Sequence, residues 1–268
     1  TSYVEHAPIE PEAGCAWMDG DIVTIAACTQ APVMDQEDTA KVLGLPLARI
    51  RIVPAAAGGG FGTKLDVSLQ PLLGLAALKT GRPCRMVYTR HESMTSTTKR
   101  HPAKMQGRLS ADRYGTITGM VFEGDFNTGA YASWGPTVAT RVPIHASGPY
   151  RVPHYFAEAS AIHTNGPVAG AFRGFGVPQA ALLQEKLMDR LADAVGLDRL
   201  QIRVQNALRD GDRTVCGQQL HGVGIAECLM ALSDGWQAAG DRVANFNAAN
   251  KHVKRGIGVA SCWYGCGN

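Results

Sequence analysis

Gly170-Ala-Phe-Arg-Gly-Phe-Gly-Val-Pro-Gln179 is the stretch around which the rest of the chain is organised. Its glycines can adopt positive φ or let a ligand approach the backbone closely, and Pro178 suits the first turn of a helix. An apolar run with helical periodicity follows and predicts a helix over 178–195. The stretch 170–179 is called the second loop, because another glycine-rich loop precedes it in the chain. It is either a structural turn or an anion site at a helix N-terminus.

A first glycine-rich loop, Gly58-Gly-Gly-Phe-Gly-Thr-Lys64, favours the ligand-binding alternative. It lies between a predicted strand, 50–54, and a predicted helix, 68–80, which is the layout of a phosphate-binding turn. It is not a Walker loop, because Gly-x-x-x-x-Gly-Lys-Ser/Thr is absent. It is not a dinucleotide fingerprint either, because no acidic residue ends a second strand about 20 residues later.

Composition describes a globular protein with a large core. The chain has 268 residues, of which 45% are apolar and 18% are charged. A net charge of +3 gives no support to nucleic-acid binding, which needs a concentrated basic face. No apolar run approaches the roughly 20 residues that span a bilayer, so we predict no membrane span. Both chain ends read as interrupted elements, and we expect a segment of a longer protein.

The 7 cysteines are scattered, odd in number and free of any Cys-x-x-Cys pair. This pattern favours reduced thiols, and we expect a cytoplasmic protein. Cys262 and Cys266 resemble half of a metal site, but no second pair lies at ligand spacing. No two histidines pair at ligand spacing, and neither Gly-x-Ser-x-Gly nor His-Glu-x-x-His occurs, which excludes the common hydrolase and zinc-protease motifs.

Strands and helices alternate along the chain, which predicts a mixed α and β class with layered mixed sheets and helices packed on them. We expect a βαβ crossover between residues 50 and 89, Asp35 as a helix N-cap, and Leu182 among the core positions of the helix after the second loop. The predicted strands are 22–28, 50–54, 84–89, 156–163 and 255–264, with a hairpin of 104–109 and 116–126. The predicted helices are 35–43, 68–80, 178–195, 197–208, 225–237 and 241–253.

Two polar side chains outside the loops are candidates for a site. Gln30 is an amide at the end of a buried strand, where functional side chains are common, although a loop amide bonded to backbone is the alternative. Arg141 lies in an apolar stretch, 138–144, and needs an anionic or hydrogen-bonding partner. An internal salt bridge is the alternative for Arg141.

The two loops and their neighbours resemble the molybdenum-binding large subunit of the xanthine dehydrogenase and aldehyde oxidase family. The first loop is similar to that family's Gly-Gly-Gly-Phe-Gly-Gly-Lys, and the second to Ala-Phe-Arg-Gly-Phe-Gly-Gly-Pro-Gln. Tyr3–Pro11 and Thr29-Gln30 resemble the family's segments in the same order, so the resemblance covers the whole chain. It implies a part of the molybdopterin-binding region, with the first cofactor loop and strands in 1–165 and the second cofactor loop and helices in 166–268.

The resemblance also implies roles for individual residues. Those matching the cofactor-binding positions are Gln30, Gly60, Phe61, Gly62, Ala171, Phe172 and Arg173. Of these, Gln30, Phe61 and Arg173 match positions near the molybdenum ligands without being direct ligands. Phe175 matches the ring that stacks on a heterocycle, and Arg141 matches an arginine that donates to a substrate carbonyl. The family's general-base glutamate would fall after Asn268, so no catalytic residue is expected here and the segment alone would be inactive.

The activity that the resemblance implies is hydroxylation of an electron-poor carbon in an N-heterocycle, such as a purine, with water as the oxygen source. The implied cofactor is a molybdopterin-type molybdenum cofactor, in its mononucleotide or cytosine dinucleotide form. Electrons would pass to iron–sulfur clusters and FAD on partner domains or subunits of an oligomer that also holds the remainder of the molybdenum subunit.

Leu65 departs from the family pattern, because purine-oxidising members have a glutamate there that bonds the purine. Leucine cannot replace that contact, which argues against a purine substrate. An aldehyde oxidoreductase of the same family is therefore one alternative. A non-catalytic structural segment that forms only half of the cofactor site is another.

Overall fold

A computed structural model of the chain describes residues 1–265. These residues form two compact units. The first unit consists of Thr1–Ala103, Phe126–Val138 and Ala161–Phe175. The second consists of Lys104–Asp125, Ala139–Ser160 and the chain from Gly176 onward. The predicted sub-parts, 1–165 and 166–268, refer to the cofactor loops and stay a prediction.

The secondary structure alternates between strands and helices. The strands of the described chain are β1 (Ala13–Asp19), β2 (Ile22–Cys28), β3 (Ile50–Ala55), β4 (Cys84–Val87), β5 (Ala103–Ala111), β6 (Ile117–Gly129) and β7 (His154–His163). Its α-helices are α1 (Pro32–Leu43), α2 (Gln70–Thr80), α3 (Arg90–Ser96), α4 (Gly135–His145), α5 (Val177–Val195), α6 (Arg199–Asn206), α7 (Ile225–Met230) and α8 (Ser233–Ala249).

The first unit is built on a four-stranded mixed sheet in the order β3-β2-β1-β4. Strand β1 pairs antiparallel with both β2 and β4, whereas β2 and β3 pair in parallel. Strands β3 and β4 therefore run in the same direction, and α2 connects them. The predicted βαβ crossover is confirmed, with β2 and β1 lying between its two strands.

Helices α1 and α2 cover this sheet and bury its apolar residues. The buried cluster consists of Ala16, Val23, Ile25, Ala27, Ala40, Ile50, Leu69, Leu73 and Ala77. Gly74 of α2 lets the two helices approach closely, because a Cβ there would lie 2.9 Å from Cδ1 of Leu43. This layered arrangement of a mixed sheet and helices confirms the predicted fold class.

Three strands in the order β5-β6-β7 contribute most of their residues to the second unit. The turn from Asp112 to Gly115 joins β5 to β6, and Gly115 has the predicted positive φ of 83°. The core of this unit joins strand and helix residues, namely Ile117, Tyr150, Met188, Ala192 and Ile202. Helix α5 starts after Gly176 and ends at Gly196, both in the left-handed region.

A buried polar cluster connects α5 to α6. The fully buried Arg203 donates from Nε to Oε2 of Glu185 at 2.7 Å and from a terminal nitrogen to Oδ1 of Asp189 at 2.8 Å. The hydroxyl of Tyr150 donates to Oε1 of Glu185 at 2.7 Å.

The expectation that Leu182 is a core residue is wrong, since Leu182 is 58% exposed. The positions Ala180, Gln184, Met188 and Ala192 recur at a spacing of four and form the buried face of α5, and Leu182 lies outside that face.

Helix α1 begins earlier than predicted, and Asp35 is not its N-cap. The cap position is Ala31, and Pro32 lies in the first turn. Proline suits this position because a backbone N–H there has no acceptor within the helix. Asp35 is buried inside the helix, where its Oδ2 accepts from Nε2 of Gln70 at 2.9 Å. Burial raises the pKa of the Asp35 carboxyl, although hydrogen bonds from Thr29 and Gln70 oppose the shift.

The C-terminal region differs from the prediction in three respects. Helix α7 ends at Met230, and α8 runs through 238–240, where the sequence predicts a break. Residues 255–264 form no strand, since they pair with no neighbouring strand among residues 1–265.

Helices α3 and α4 were not predicted; α3 carries a capping box between Thr89 and Glu92. No helix of the described chain is long and apolar enough to cross a membrane.

Candidate functional site

The first loop wraps around the side chain of Gln30, just after strand β2. Oε1 of Gln30 accepts from the backbone N–H of Gly62 at 2.9 Å, and the N–H of Gln30 donates to the carbonyl of Lys64 at 2.9 Å. Gly60 has no room for a side chain, because a Cβ there would lie 2.3 Å from Oε1 of Gln30. The loop thus fixes which way the Gln30 amide faces.

A buried ion pair fastens this loop to the N-terminal segment. Nζ of Lys64, a residue 3% exposed, lies 2.6 Å from Oε2 of Glu10. The same carboxylate oxygen accepts from the N–H of Gly58 at 2.8 Å. Burial alone would raise the pKa of Glu10, but hydrogen bonds from Lys64 and Gly58 lower it overall. Glu10 therefore holds both ends of the first loop.

The second loop meets the first through the backbone. The N–H of Arg173 donates to the carbonyl of Phe61 at 2.8 Å. Gly62 has a φ of 112°, and a Cβ there would lie 2.5 Å from the carbonyl oxygen of Ala171. Phe61 itself has a φ of 59°, which only strong surrounding contacts maintain in a residue with a side chain. The two glycine-rich loops consequently form one continuous structure.

Aromatic and cationic side chains support the second loop. His6 stacks on Phe172 with ring centroids 3.8 Å apart, and its Nε2 lies 2.7 Å from the carbonyl oxygen of Ala171. The guanidinium of Arg100 lies 3.9 Å from the centroid of Phe172 and donates to the carbonyl of Arg173 at 2.8 Å. Burial lowers the pKa of His6 to about 4, so its imidazole is neutral at pH 7.

Several donors in these loops remain open. The amide nitrogen of Gln30 and the guanidinium of Arg173 are exposed and donate to no group among residues 1–265. The backbone N–H groups of Gly60 and Phe61 also lack an acceptor within that part of the chain. Open N–H donors in a loop bonded to the backbone of Arg173 suit an anionic, oxygen-rich ligand.

Phe175 and Leu65 lie close to these donors in sequence. Phe175 has a φ of 42°, and its N–H donates to the carbonyl of Phe172 at 2.8 Å. Its ring meets Trp134 edge to face, with centroids 5.7 Å apart and an interplanar angle of 63°. Leu65 follows the first loop directly and is half-buried. Its side chain offers apolar contact and no hydrogen bond.

Arg141 belongs to the second unit, on helix α4. It donates to the carbonyl of Gly265 at 3.3 Å, and its guanidinium lies 4.8 Å from the ring centroid of Tyr264. The structure therefore brings together Gln30, the first loop and residues 171–175 within the first unit. It places Arg141 in the other unit, and a role for Arg141 toward substrate stays a prediction.

Sequence reasoning missed the contacts of Asp66 and Trp134. Asp66 directly follows Leu65, and Trp134 is the one tryptophan of a stretch rich in small residues, 127–136. The carboxylate beside the first loop and the lone tryptophan are both visible in the sequence. No local sequence pattern shows which distant residues they contact. Among residues 1–265, no group of three or more His, Cys, Asp or Glu side chains is placed to hold a metal ion. Cys266, one half of the Cys262–Cys266 pair, lies outside the described residues.

Comparison with known proteins decides the family. The sequence profile of the molybdopterin cofactor-binding domain matches residues 1–207. The chain belongs to this family. The resemblance to the molybdenum-binding subunits of xanthine dehydrogenases and aldehyde oxidases is thereby confirmed.

Individual relatives agree with this assignment. The chain is 42% identical to the nicotinate dehydrogenase large molybdopterin subunit of Eubacterium barkeri over 231 residues, which are 85% of this chain and 54% of that protein. It is 32% identical to a xanthine dehydrogenase molybdenum-binding subunit of Escherichia coli, covering 98% of this chain and 35% of that protein. The aldehyde oxidoreductase structure from Desulfovibrio gigas superposes with a TM-score of 0.88 at 29% identity, over 91% of this chain and 27% of that chain. The chain thus spans about half or less of the relatives it matches.

The described residues of this molybdopterin cofactor-binding domain fit the group that the family binds. A molybdopterin carries a phosphate group, which needs hydrogen-bond donors and positive charge. The open donors are Nε2 of Gln30, the N–H groups of Gly60 and Phe61, and the guanidinium of Arg173. Gly60 and Gly62 let the first loop pack directly on Gln30 and on Ala171, because a Cβ at either position would collide with those residues.

Proposed function

We propose that this chain is the cofactor-holding part of a molybdenum hydroxylase that oxidises an aromatic N-heterocycle. The observation that carries the proposal is the pair of joined loops that leave the Gln30 amide nitrogen and the Arg173 guanidinium without a partner among residues 1–265. When bound, the molybdenum cofactor supplies the two-electron oxidation of carbon. The chain supplies binding, orientation and charge.

Three residues of the first unit, Gln30, Arg173 and Phe175, have physical tasks in this proposal. Gln30 would donate from Nε2 to the metal end of the cofactor, because its Oε1 already accepts from the N–H of Gly62. Arg173 stabilises negative charge on the cofactor side, where preorganised donors are most effective. The ring of Phe175 stacks on a flat substrate. We infer that the remainder of the molybdenum subunit would supply the general base.

Nicotinate and related N-heterocycles are the substrate class that we favour. The nicotinate dehydrogenase subunit is 42% identical to this chain. Leu65 supports the same choice, because an apolar side chain after the first loop tolerates a ring that presents no hydrogen-bonding edge there. Arg141 is a second cation for a carboxylate or carbonyl substituent of the substrate.

An aldehyde oxidoreductase is the second candidate function. Leu65 also suits an aldehyde, and the structure that superposes with a TM-score of 0.88 is that of an aldehyde oxidoreductase. The two candidates differ in the demand for a stacking ring. A heterocycle needs Phe175, whereas a small aliphatic aldehyde does not.

The full enzyme would hold further components. We infer iron–sulfur clusters and FAD on partner domains or subunits, the remainder of the molybdenum subunit, and an oligomeric cytoplasmic assembly. The cofactor form, mononucleotide or cytosine dinucleotide, is decided by hydrolysing the purified cofactor and identifying the nucleotide released. This chain on its own would hold half of a site and would not turn over substrate.

The test uses the complete enzyme that contains this chain. Molybdenum content is measured together with kcat/KM for nicotinate, xanthine and propanal. We expect turnover of nicotinate, and we expect Arg173→Ala to lose most bound molybdenum or activity while the secondary structure stays intact. Arg82→Ala, an exposed arginine of the same unit, is the matched control. Activity confined to propanal would contradict the heterocycle, and full nicotinate turnover by Arg173→Ala would remove Arg173 from the site.

A further inference from the structure

A third loop, residues 130–135, lies against both glycine-rich loops. The hydroxyl of Ser133 donates to the carboxylate of Asp66 at 2.9 and 3.1 Å, and Asp66 lies just after the first loop. At the start of the second loop, Gly170 leaves the space that this contact needs. A Cβ on Gly170 would lie 2.7 Å from Oγ of Ser133 and 2.8 Å from Oδ2 of Asp66.

The third loop is also braced from within. Oγ1 of Thr128 donates to the carbonyl of Ala132 at 2.9 Å. Gly135 packs directly on that side chain, since a Cβ there would lie 2.3 Å from Oγ1 of Thr128. Ser133 has a φ of 41°, a conformation that persists only where surrounding contacts determine it. The position of the next residue, Trp134, is therefore set by contacts from two directions.

Trp134 carries this fixed position to Phe175. The two rings form the edge-to-face pair described above, at 5.7 Å and 63°. Such pairs constrain the tilt of both rings because the positive edge of one meets the negative face of the other. The backbone of Phe175, at φ 42°, is set by its own loop, and the contact with Trp134 acts on the ring itself. Trp134 is thus a lateral support for the ring that would face a substrate.

We propose that Trp134 is a specificity-determining residue, which holds Phe175 at the tilt that favours flat aromatic substrates over aliphatic ones, and that Asp66 is a positioning residue acting through Ser133. The inference rests on the proposed function, because it takes Phe175 as the substrate-stacking ring. It goes beyond that function by assigning selectivity to a loop that contributes no group to the cofactor.

Asp66 suits this task because its contact needs an acceptor rather than a charge. Burial raises the pKa of its carboxyl, while the hydrogen bond from Ser133 acts in the opposite direction. Asparagine keeps an acceptor oxygen of the same shape, so Asp66→Asn should retain the contact. Leucine keeps the volume and removes the acceptor, so Asp66→Leu should release Ser133. The pair of variants separates positioning from packing.

The experiment compares nicotinate with propanal in the complete enzyme. Trp134→Leu should lower kcat/KM for nicotinate about 5-fold, mainly through KM, and change that for propanal less than about 2-fold. Trp134→Phe should restore nicotinate turnover, because it keeps an aromatic edge. Asp66→Leu should behave like Trp134→Leu, and Asp66→Asn like the wild type. Tyr131→Leu is the matched control, since Tyr131 is 71% exposed in the same loop.

A binding measurement makes the inference independent of turnover. In the cofactor-free protein, nicotinate should quench tryptophan fluorescence, and Trp134→Phe should lose most of that quenching while Trp17→Phe keeps it. Equal losses for nicotinate and propanal in a folded Trp134→Leu enzyme would overturn the inference and leave the proposed function intact. An enzyme whose wild-type form does not oxidise nicotinate or other N-heterocycles would overturn both.

Discussion

The imidazole of His6 lies flat on the ring of Phe172, with 3.8 Å between centroids and 20° between planes. This contact joins the N-terminal segment to the second loop over a long stretch of chain. The hydrogen bond from His6 to the carbonyl of Ala171 adds a polar contact at the same place. The N-terminal segment is therefore part of the support of the site rather than a separate tail.

The first prediction concerns acid sensitivity. His6 has a pKa lowered to about 4 by burial, against 6.5 ordinarily. A lowered pKa means that the unfolded chain takes up the proton first, so stability present above pH 6.5 is lost as the pH falls toward 4. At about 1.4 kcal/mol per pKa unit, the loss reaches about 3 kcal/mol.

Urea unfolding at pH 7 and pH 4.5 measures this loss. His6→Phe keeps the stacked ring and removes the titrating group, so its unfolding free energy should change less between the two pH values than that of the wild type. The buried His101, whose pKa burial also lowers to about 4, leaves a residual slope in the variant. The control is His91→Phe, which replaces an exposed histidine. An equal change in unfolding free energy between pH 7 and pH 4.5 in the wild type, His6→Phe and His91→Phe would contradict the prediction.

The second prediction concerns the ion pair between Lys64 and Glu10. Lys64→Met removes the cation and leaves the carboxylate beside Gly58, while its apolar chain fills the same space. Breaking a buried pair on one side costs about 3–5 kcal/mol, and the 32% exposure of the Glu10 side chain places the cost at the lower end. Chemical denaturation gives the loss. Arg51→Met, which breaks an exposed pair with Asp19, should cost less than about 1 kcal/mol.

The third prediction concerns the contact between the two glycine-rich loops. Gly62→Ala places a Cβ 2.5 Å from the carbonyl oxygen of Ala171, at a φ of 112°. Gly44→Ala also imposes a side chain on a positive φ, of 65°, but in open space. We expect a cost of about 1 kcal/mol for Gly44→Ala. Gly62→Ala should cost more than twice as much, and it should lower the molybdenum content of the enzyme. Equal costs would mean that the loops separate easily.

The fourth prediction concerns the charged cluster between α5 and α6. Arg203→Met leaves Glu185 without its buried cation and Asp189 with only the longer 3.4 Å contact to Arg199, so the unfolding free energy should fall by about 3 kcal/mol. Arg199→Met provides the comparison, because the half-exposed Arg199 pairs with Asp193 at 3.1 Å and with Asp189 at 3.4 Å, and Asp189 keeps Arg203 in this variant. Its cost should stay below about 1 kcal/mol. A small loss in Arg203→Met would indicate that water enters and solvates the two carboxylates.

The sequence predicts the family and every strand of the described chain except β1 (Ala13–Asp19), an inner strand of the four-stranded sheet, which was missed. Strand β2 falls at the predicted bounds, because a run of β-branched and apolar residues ended by Thr29-Gln30 strongly favours a buried strand. Helix α5 lies within one residue of the prediction, since Gly176 and Gly196 mark its two ends. Local chemistry decides such elements. The family likewise followed from two short patterns in the correct order.

The remaining features depend on contacts that no local pattern contains. Phe61 adopts positive φ because the opposite loop donates to its carbonyl, whereas glycine was the expected residue for that conformation. Asp35 became a buried partner of Gln70 instead of a cap, since α2 packs beside it. The extended residues 257–264 alternate between exposed and half-buried as a strand would, but no strand among residues 1–265 pairs with them.

The division of the first unit into three stretches of sequence has a consequence for synthesis. Its sheet is complete once Val87 has left the ribosome, but the second loop reaches only to Phe175. At 5–20 residues per second, about 4–18 s separate the two events. During that interval the carbonyl of Phe61 cannot yet accept from the N–H of Arg173, while the two shorter stretches of the second unit emerge. A pause in translation after residue 175 should therefore raise the fraction of chains in which the two glycine-rich loops are joined. A pause after residue 87 should raise that fraction less.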